Sequence, residues 1–155
     1  MNKILCSLVS IGLVVGTPSI ANADAAYNRF RKNQIAEFTG DKAPKNCQEK
    51  KLKLTESGNQ VLYELCAVKG KPIYLKSSID GVTYGYYEFK NSKLVQSAAP
   101  DAGVSIGFRN EQPVVRWDWF NETVTWKIDA DTKTTLRENT ATIKRILNRF
   151  GIRTS

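Results

Sequence analysis

Histidine is absent from this 155-residue chain. That absence removes Ser-His-Asp hydrolysis, Cys-His proteolysis and histidine-bound metal catalysis, all of which need an imidazole. Neither a P-loop nor a GxGxxG is present, so nothing marks a nucleotide site. No cofactor is expected. Acidic residues are in deficit, 15 Asp and Glu against 23 Lys and Arg, for a net charge of +8. Cysteine is scarce at three residues. Long apolar runs are scarcer still. The one run, Ile4 to Val15, is too short to span a bilayer, and Pro18 interrupts it.

That run has the layout of an export leader. Lys3 supplies the positive start, and Ala21-Asn22-Ala23 is a small-x-small cleavage site. A signal peptide over residues 1–23 is expected, with a cut after Ala25 almost as good. The mature chain is then periplasmic or secreted and not transmembrane. Cleavage removes Cys6 and leaves Cys47 and Cys66, an even pair that predicts one disulfide in an exported protein. Their spacing is wrong for CxxC, and no histidine completes a zinc site, so no metal is expected. Losing Lys3 lowers the net charge from +8 to +7. Outside the cytoplasm such a charge attracts anionic lipid or an acidic macromolecule rather than nucleic acid. The same lysines also keep a β-protein soluble and guard its edges.

From Lys50 to Asp129, turn signals recur at the spacing of an all-β domain. Asp80-Gly81 is the strongest of them, followed by Ser57-Gly58, a Gly70-centred loop, Asn91-Ser92, 100–103, Asn110-Glu111 and Asn121-Glu122. They divide the segment into eight strands near 50–56, 59–68, 72–79, 82–90, 93–99, 104–109, 112–120 and 123–129. Paired residues share a face, so register can be read from the apolar pattern. It pairs Leu54 with Val61, Leu65 with Leu75 through a three-residue loop at 69–71, and Leu75 with Tyr86. Further on, it pairs Ser97 with Ile106, Val104 with Trp117, and Trp117 with Trp126. One apolar face then runs through every strand without a slip, and both cysteines project from the polar side.

The expected fold is mainly β, an eight-stranded antiparallel up-and-down meander followed by a C-terminal amphipathic helix. Thr135-Leu136-Arg137-Glu138 has capping-box spacing, with Thr135 as the expected N-cap. Leu136, Ile143, Ile146, Leu147 and Phe150 form one stripe. Gly151 is a left-handed terminator that lets Ile152 fold back on Leu147. A weaker helix pattern covers 25–38 and stops at Gly40, and a linker runs to residue 48. The domain proper is 49–155. The sheet either closes into a barrel, the favoured outcome, or curls strongly around the helix.

In this register Ser77, Tyr84, Trp117 and Trp126 share a layer, with Tyr86 and Ser97 in the next and Trp119 beyond. Small residues among large aromatics outline an interior for a small hydrophobic ligand, although the same mixture also fills a barrel core. Glu88 is the one ionisable group on that face, a ligand anchor or a residue at the barrel mouth. These eight residues are the candidate ligand site. No catalytic residue is assigned, and a carboxylate enzyme using Glu88 is the weakest of three readings. The strongest is an exported, non-enzymatic binding protein. The second is an envelope protein engaging an acidic macromolecule or anionic lipid through a basic helix surface of Arg137, Lys144, Arg145 and Arg149. Asn121-Glu122-Thr123 matches a glycosylation acceptor but reads equally as a turn.

Overall fold

The computed structural model describes residues 44–153. The leader, its cleavage sites and the helix expected over 25–38 lie outside the described residues. Hairpin chemistry builds the rest. Two-residue type I′ turns, whose twist matches that of the strands, need positive φ at both central positions. Ser57-Gly58, Lys69-Gly70, Asp80-Gly81, Asn91-Ser92 and Asn110-Glu111 all have it. They help connect β1 (Gln48–Glu56), β2 (Asn59–Val68), β3 (Lys71–Ile79) and β4 (Val82–Lys90) to β5 (Lys93–Ala99), β6 (Val104–Arg109), β7 (Gln112–Asp118) and β8 (Thr123–Thr125).

Each strand pairs with its sequence neighbours, giving one eight-stranded antiparallel meander in the order β1 to β8. Among the described residues β1 and β8 form no ladder, so the sheet is open rather than a closed barrel. The last hairpin is also shorter than expected. Asp118 accepts hydrogen bonds from the Asn121 backbone N–H and side-chain amide, both at 3.0 Å, which folds 118–121 into a turn. The strand ends at Asp118 instead of Phe120, and Trp117 stands across from Val124, not Trp126.

Four β-bulges correct the expectation of an unbroken apolar face. Ile73, Tyr84, Val95 and Val114 are each skipped by the ladder, always on the second strand of a hairpin. One extra residue shifts the two-residue side-chain period by one step, so the strand beyond it changes face. At β2–β3 the bulge replaces the expected three-residue loop: the turn is Lys69-Gly70, and skipping Ile73 still brings Leu65 opposite Leu75. At β3–β4, skipping Tyr84 brings Tyr87 rather than Tyr86 opposite Leu75. At β6–β7, skipping Val114 sets Trp117 opposite Ser105 instead of Val104.

The helix α1 (Ala130–Arg149) begins five residues before the expected cap. Asp129 is the N-cap, its carboxylate accepting from the Thr132 N–H at 2.8 Å and hydroxyl at 2.6 Å. Thr135 is inside the helix, its hydroxyl donating to the Asp131 carbonyl. The C-terminus ends as expected: Ile152 N–H reaches the Leu147 carbonyl and Gly151 N–H the Asn148 carbonyl, both at 3.0 Å. This is a Schellman ending, with Gly151 left-handed at φ 80°. Lys50 of β1 adds a hydrogen bond to the Phe150 carbonyl.

Ile143, Ile146 and Leu147 of α1, with Phe150 and Ile152, pack on Val61, Tyr63, Leu65, Leu75, Phe89 and Leu94. Full burial of a side chain such as Leu147 stabilises by about 1.5–3 kcal/mol. Cys47 and Cys66 form the expected disulfide, 19 residues apart in sequence. Constraining a loop of that size contributes about 3 kcal/mol. Cys66 itself is buried rather than on an exposed polar surface. Next to it, Lys51, Glu64 and Lys76 stand in register across β1, β2 and β3 and form ion pairs, Glu64 to Lys51 at 2.6 Å and to Lys76 at 3.6 Å. The Lys51 hydrogen bond is the main cause holding the Glu64 carboxyl below its ordinary range.

Candidate functional site

The C-terminal half of α1 seals the core over β1 to β5, and its N-terminal half stands over β4 to β7. Between that half and the sheet lies a pocket of about 340 Å³. Small side chains make the room: Ser97 and Ala99 of β5 and Ala102 of the following turn line it. Val104, Ile106 and Phe108 of β6 form an apolar wall, and Leu136 and Ile143 of α1 form the roof. Tyr84 and Tyr87 close one side, and Arg116, Thr132 and Asn139 lie toward solvent.

The β4 bulge places both tyrosines here. In the ladder, Gly85 pairs with Ser77, and a Cβ at Gly85 would collide with the Ser77 hydroxyl and with Tyr87. Glycine therefore lets the chain pass close to Ser77 while Tyr84 and Tyr87 both reach the helix side. Burial pushes the Tyr87 phenol up to about 12. Tyr63, beneath them in the core, is shifted upward further, first by burial and then by hydrogen bonding to Tyr84 and Glu56. Its hydroxyl lies 3.0 Å from both Glu56 carboxylate oxygens. These are neutral phenols at physiological pH, suited to donating hydrogen bonds rather than to removing protons.

The eight candidate ligand residues divide between the two faces. Tyr84 and Ser97 line the pocket. Ser77 is buried under Gly85 on the same face and donates to its carbonyl at 3.4 Å. Tyr86 and Trp117 lie on the reverse face, with Tyr86 opposite Ala98 and stacked on Tyr74 at 5.8 Å. Trp119 joins them, its ring centroid 5.8 Å from that of Trp117 and its indole N–H donating to the Ser105 hydroxyl at 2.9 Å. Glu88 is on that reverse face too, between Tyr74 and Gln96, not beside Phe108. Trp126 lies past the end of β8 and is 51% exposed. No tryptophan lines the pocket.

The four basic helix residues also separate. Lys144 pairs with Glu111 at 3.2 Å and Arg137 donates to Gln112 at 3.1 Å, tying α1 to the β6–β7 hairpin. Arg145 and Arg149 line a different groove, of about 650 Å³, against Leu54 and Glu56 of β1.

Sequence pattern alone missed Tyr87 and Arg116. Gly85 carried the signal for Tyr87, since a glycine inside a strand pattern often marks a bulge. One catalytic spacing is disposed of by the fold. Gly103-Val104-Ser105-Ile106-Gly107 has the GxSxG form, but an elbow needs a strand-to-helix turn with an exposed hydroxyl. Ser105 is in mid-strand in β6, fully buried, and accepts from Trp119. Among the described residues, no three His, Cys, Asp or Glu side chains cluster as metal ligands.

No protein-family model matches the chain, and no curated protein matches it. Among solved structures, a crystal structure of TarM overlaps it with a TM-score of 0.42 and 12% identity. A point mutant of S. aureus TarM, crystallised with fondaparinux, alpha-GlcNAc-glycerol and UDP, overlaps it equally. In each case the match covers 68% of this chain and 27% of the other. An overlap at this level carries no argument about fold or activity. The intramolecular disulfide is compatible with an exported protein, and among the described residues no helix is long and apolar enough to cross a membrane.

Proposed function

We propose that this chain is an exported, non-enzymatic binding protein that holds a small apolar or aromatic ligand between its sheet and its helix. The pocket carries the reading: about 340 Å³, with apolar walls on β6 and α1 and phenol and serine hydroxyls on one side. Small-molecule sites share that size range, roughly 300–1,000 Å³, and that mixture of lining groups. Export is supported by the leader pattern over residues 1–23 and by the disulfide. The non-enzymatic assignment draws on the missing imidazole and on the raised phenols, which offer hydrogen-bond donors and no general base.

The test is titration with an apolar aromatic probe, N-phenyl-1-naphthylamine, read by its own fluorescence because no tryptophan lines the pocket. Saturable binding to the wild type that disappears in Ala99→Trp, with the circular dichroism spectrum kept, supports the reading. Absence of saturable binding, or equal binding in Ala99→Trp, contradicts it.

A further inference from the structure

We propose that the ligand of this pocket is a singly anionic amphiphile, its apolar body under α1 and its head group on Arg116; this rests on the reading of the pocket as a ligand site. The charge pattern carries the argument. Arg116 is the only charged residue among those lining the pocket, and no carboxylate lines it. It also lines a second hollow of about 160 Å³ that shares Thr132 with the pocket, so Arg116 borders both spaces.

Arg116 makes no ion pair among the described residues. The acids of the second hollow, Asp118 and Asp129, keep their negative charge, and Arg116 acts electrostatically on Asp118, but their oxygens are hydrogen-bonded to other groups. Asp118, two residues along the same strand face, accepts from the backbone and side-chain nitrogens of Asn121 at 3.0 Å. Asp129 accepts from the Thr132 backbone and hydroxyl. Lys127 also lines that hollow, where it and Arg116 balance Asp118 and Asp129; in the main pocket Arg116 has no acid beside it among the lining residues. A guanidinium presents a planar fork of donors that matches a carboxylate in two parallel hydrogen bonds.

The remaining polar groups of the pocket fit the same occupant. The Ser97 hydroxyl and the Asn139 amide make no side-chain hydrogen bond among the described residues and are available to a ligand. Thr132 and Thr140 are already bonded, to Asp129 and to the Leu136 carbonyl. A neutral apolar ligand would use the walls and leave Arg116 unengaged. A cationic one would meet an arginine with no acid in the pocket to offset it.

Isothermal titration at low ionic strength with decanoate, decanol and decyltrimethylammonium separates these cases. Decanoate should bind the wild type up to about fivefold more tightly than decanol, the scale of a solvent-exposed charge pair. Decyltrimethylammonium should bind more weakly than either. In Arg116→Gln the decanoate-to-decanol ratio should fall to near one, and in Arg116→Lys it should lie between. Equal binding of decanoate and decanol to the wild type overturns the inference and leaves the pocket reading intact. So does a ratio that survives Arg116→Gln. If none of the three binds, the inference fails, and the pocket reading is then decided by the N-phenyl-1-naphthylamine titration. Because the Arg116 side chain is exposed, these variants should fold normally.

Discussion

Tyr87 stands directly across the ladder from Leu75, and that pairing decides which aromatic rings face the helix. It exists because the chain skips Tyr84 and passes close over Ser77 at Gly85. Tyr84 and Tyr87 then share the helix side, while Tyr86 stacks on Tyr74 behind the sheet. A pocket wall is built from one extra residue.

Gly85→Ala tests that construction. The added methyl meets the Ser77 hydroxyl and the Tyr87 ring inside van der Waals contact. Overpacking of this kind costs about 1–3 kcal/mol. Denaturant unfolding should show that loss, and Gly85→Ala combined with Ser77→Gly should recover part of it.

The helix start gives a paired prediction. Asp129→Ala removes the acceptor of the Thr132 N–H and should cost about 1 kcal/mol. Thr135→Ala, inside the helix, should change stability by less than about 0.5 kcal/mol. Thermal unfolding of the two variants checks it, and the reverse order would restore Thr135 as the cap.

Alkaline stability follows from the phenols. Burial raises the Tyr87 phenol in the folded chain to about 12, against its ordinary 10. The folded state therefore keeps a proton that the unfolded chain gives up. The stabilisation is complete below pH 10 and is lost as pH rises from 10 through 12. Denaturant unfolding at pH 9 and pH 11.5 should show a loss that is smaller in Tyr87→Phe than in the wild type. Equal losses would contradict the assignment.

How much of this was legible in the sequence depends on how local the signal is. Strand bounds from β1 to β6 agree to within two residues with those read from turn chemistry, because Asp80-Gly81 or Ser57-Gly58 specifies a turn without help from the rest of the chain. The Leu147, Gly151 and Ile152 ending is equally local and was equally readable. Faces were not. Period-two alternation carries each error forward, so the bulge at Tyr84 moved Tyr86 and Glu88 to the reverse side, the one at Val95 returned Ser97 and β6 to the expected face, and the one at Val114 moved Trp117. Arg116 was hidden for the same reason, since it read as a solvent residue until Val114 was skipped. Sheet closure was out of reach, because whether β1 meets β8 depends on accumulated twist and not on any single residue. The early end of β7 had a visible cause in Asp118 and Asn121, whose hydrogen bonds compete with the ladder.

Nuclear Overhauser contacts from bound N-phenyl-1-naphthylamine to methyl-labelled protein test the central claim most directly. Contacts should fall on Ile106, Leu136 and Ile143, the groups facing one another across the sheet–helix space. Contacts concentrated instead on Val115 and Val124, which flank Trp117 on the reverse face, would place the ligand behind the sheet and contradict the account.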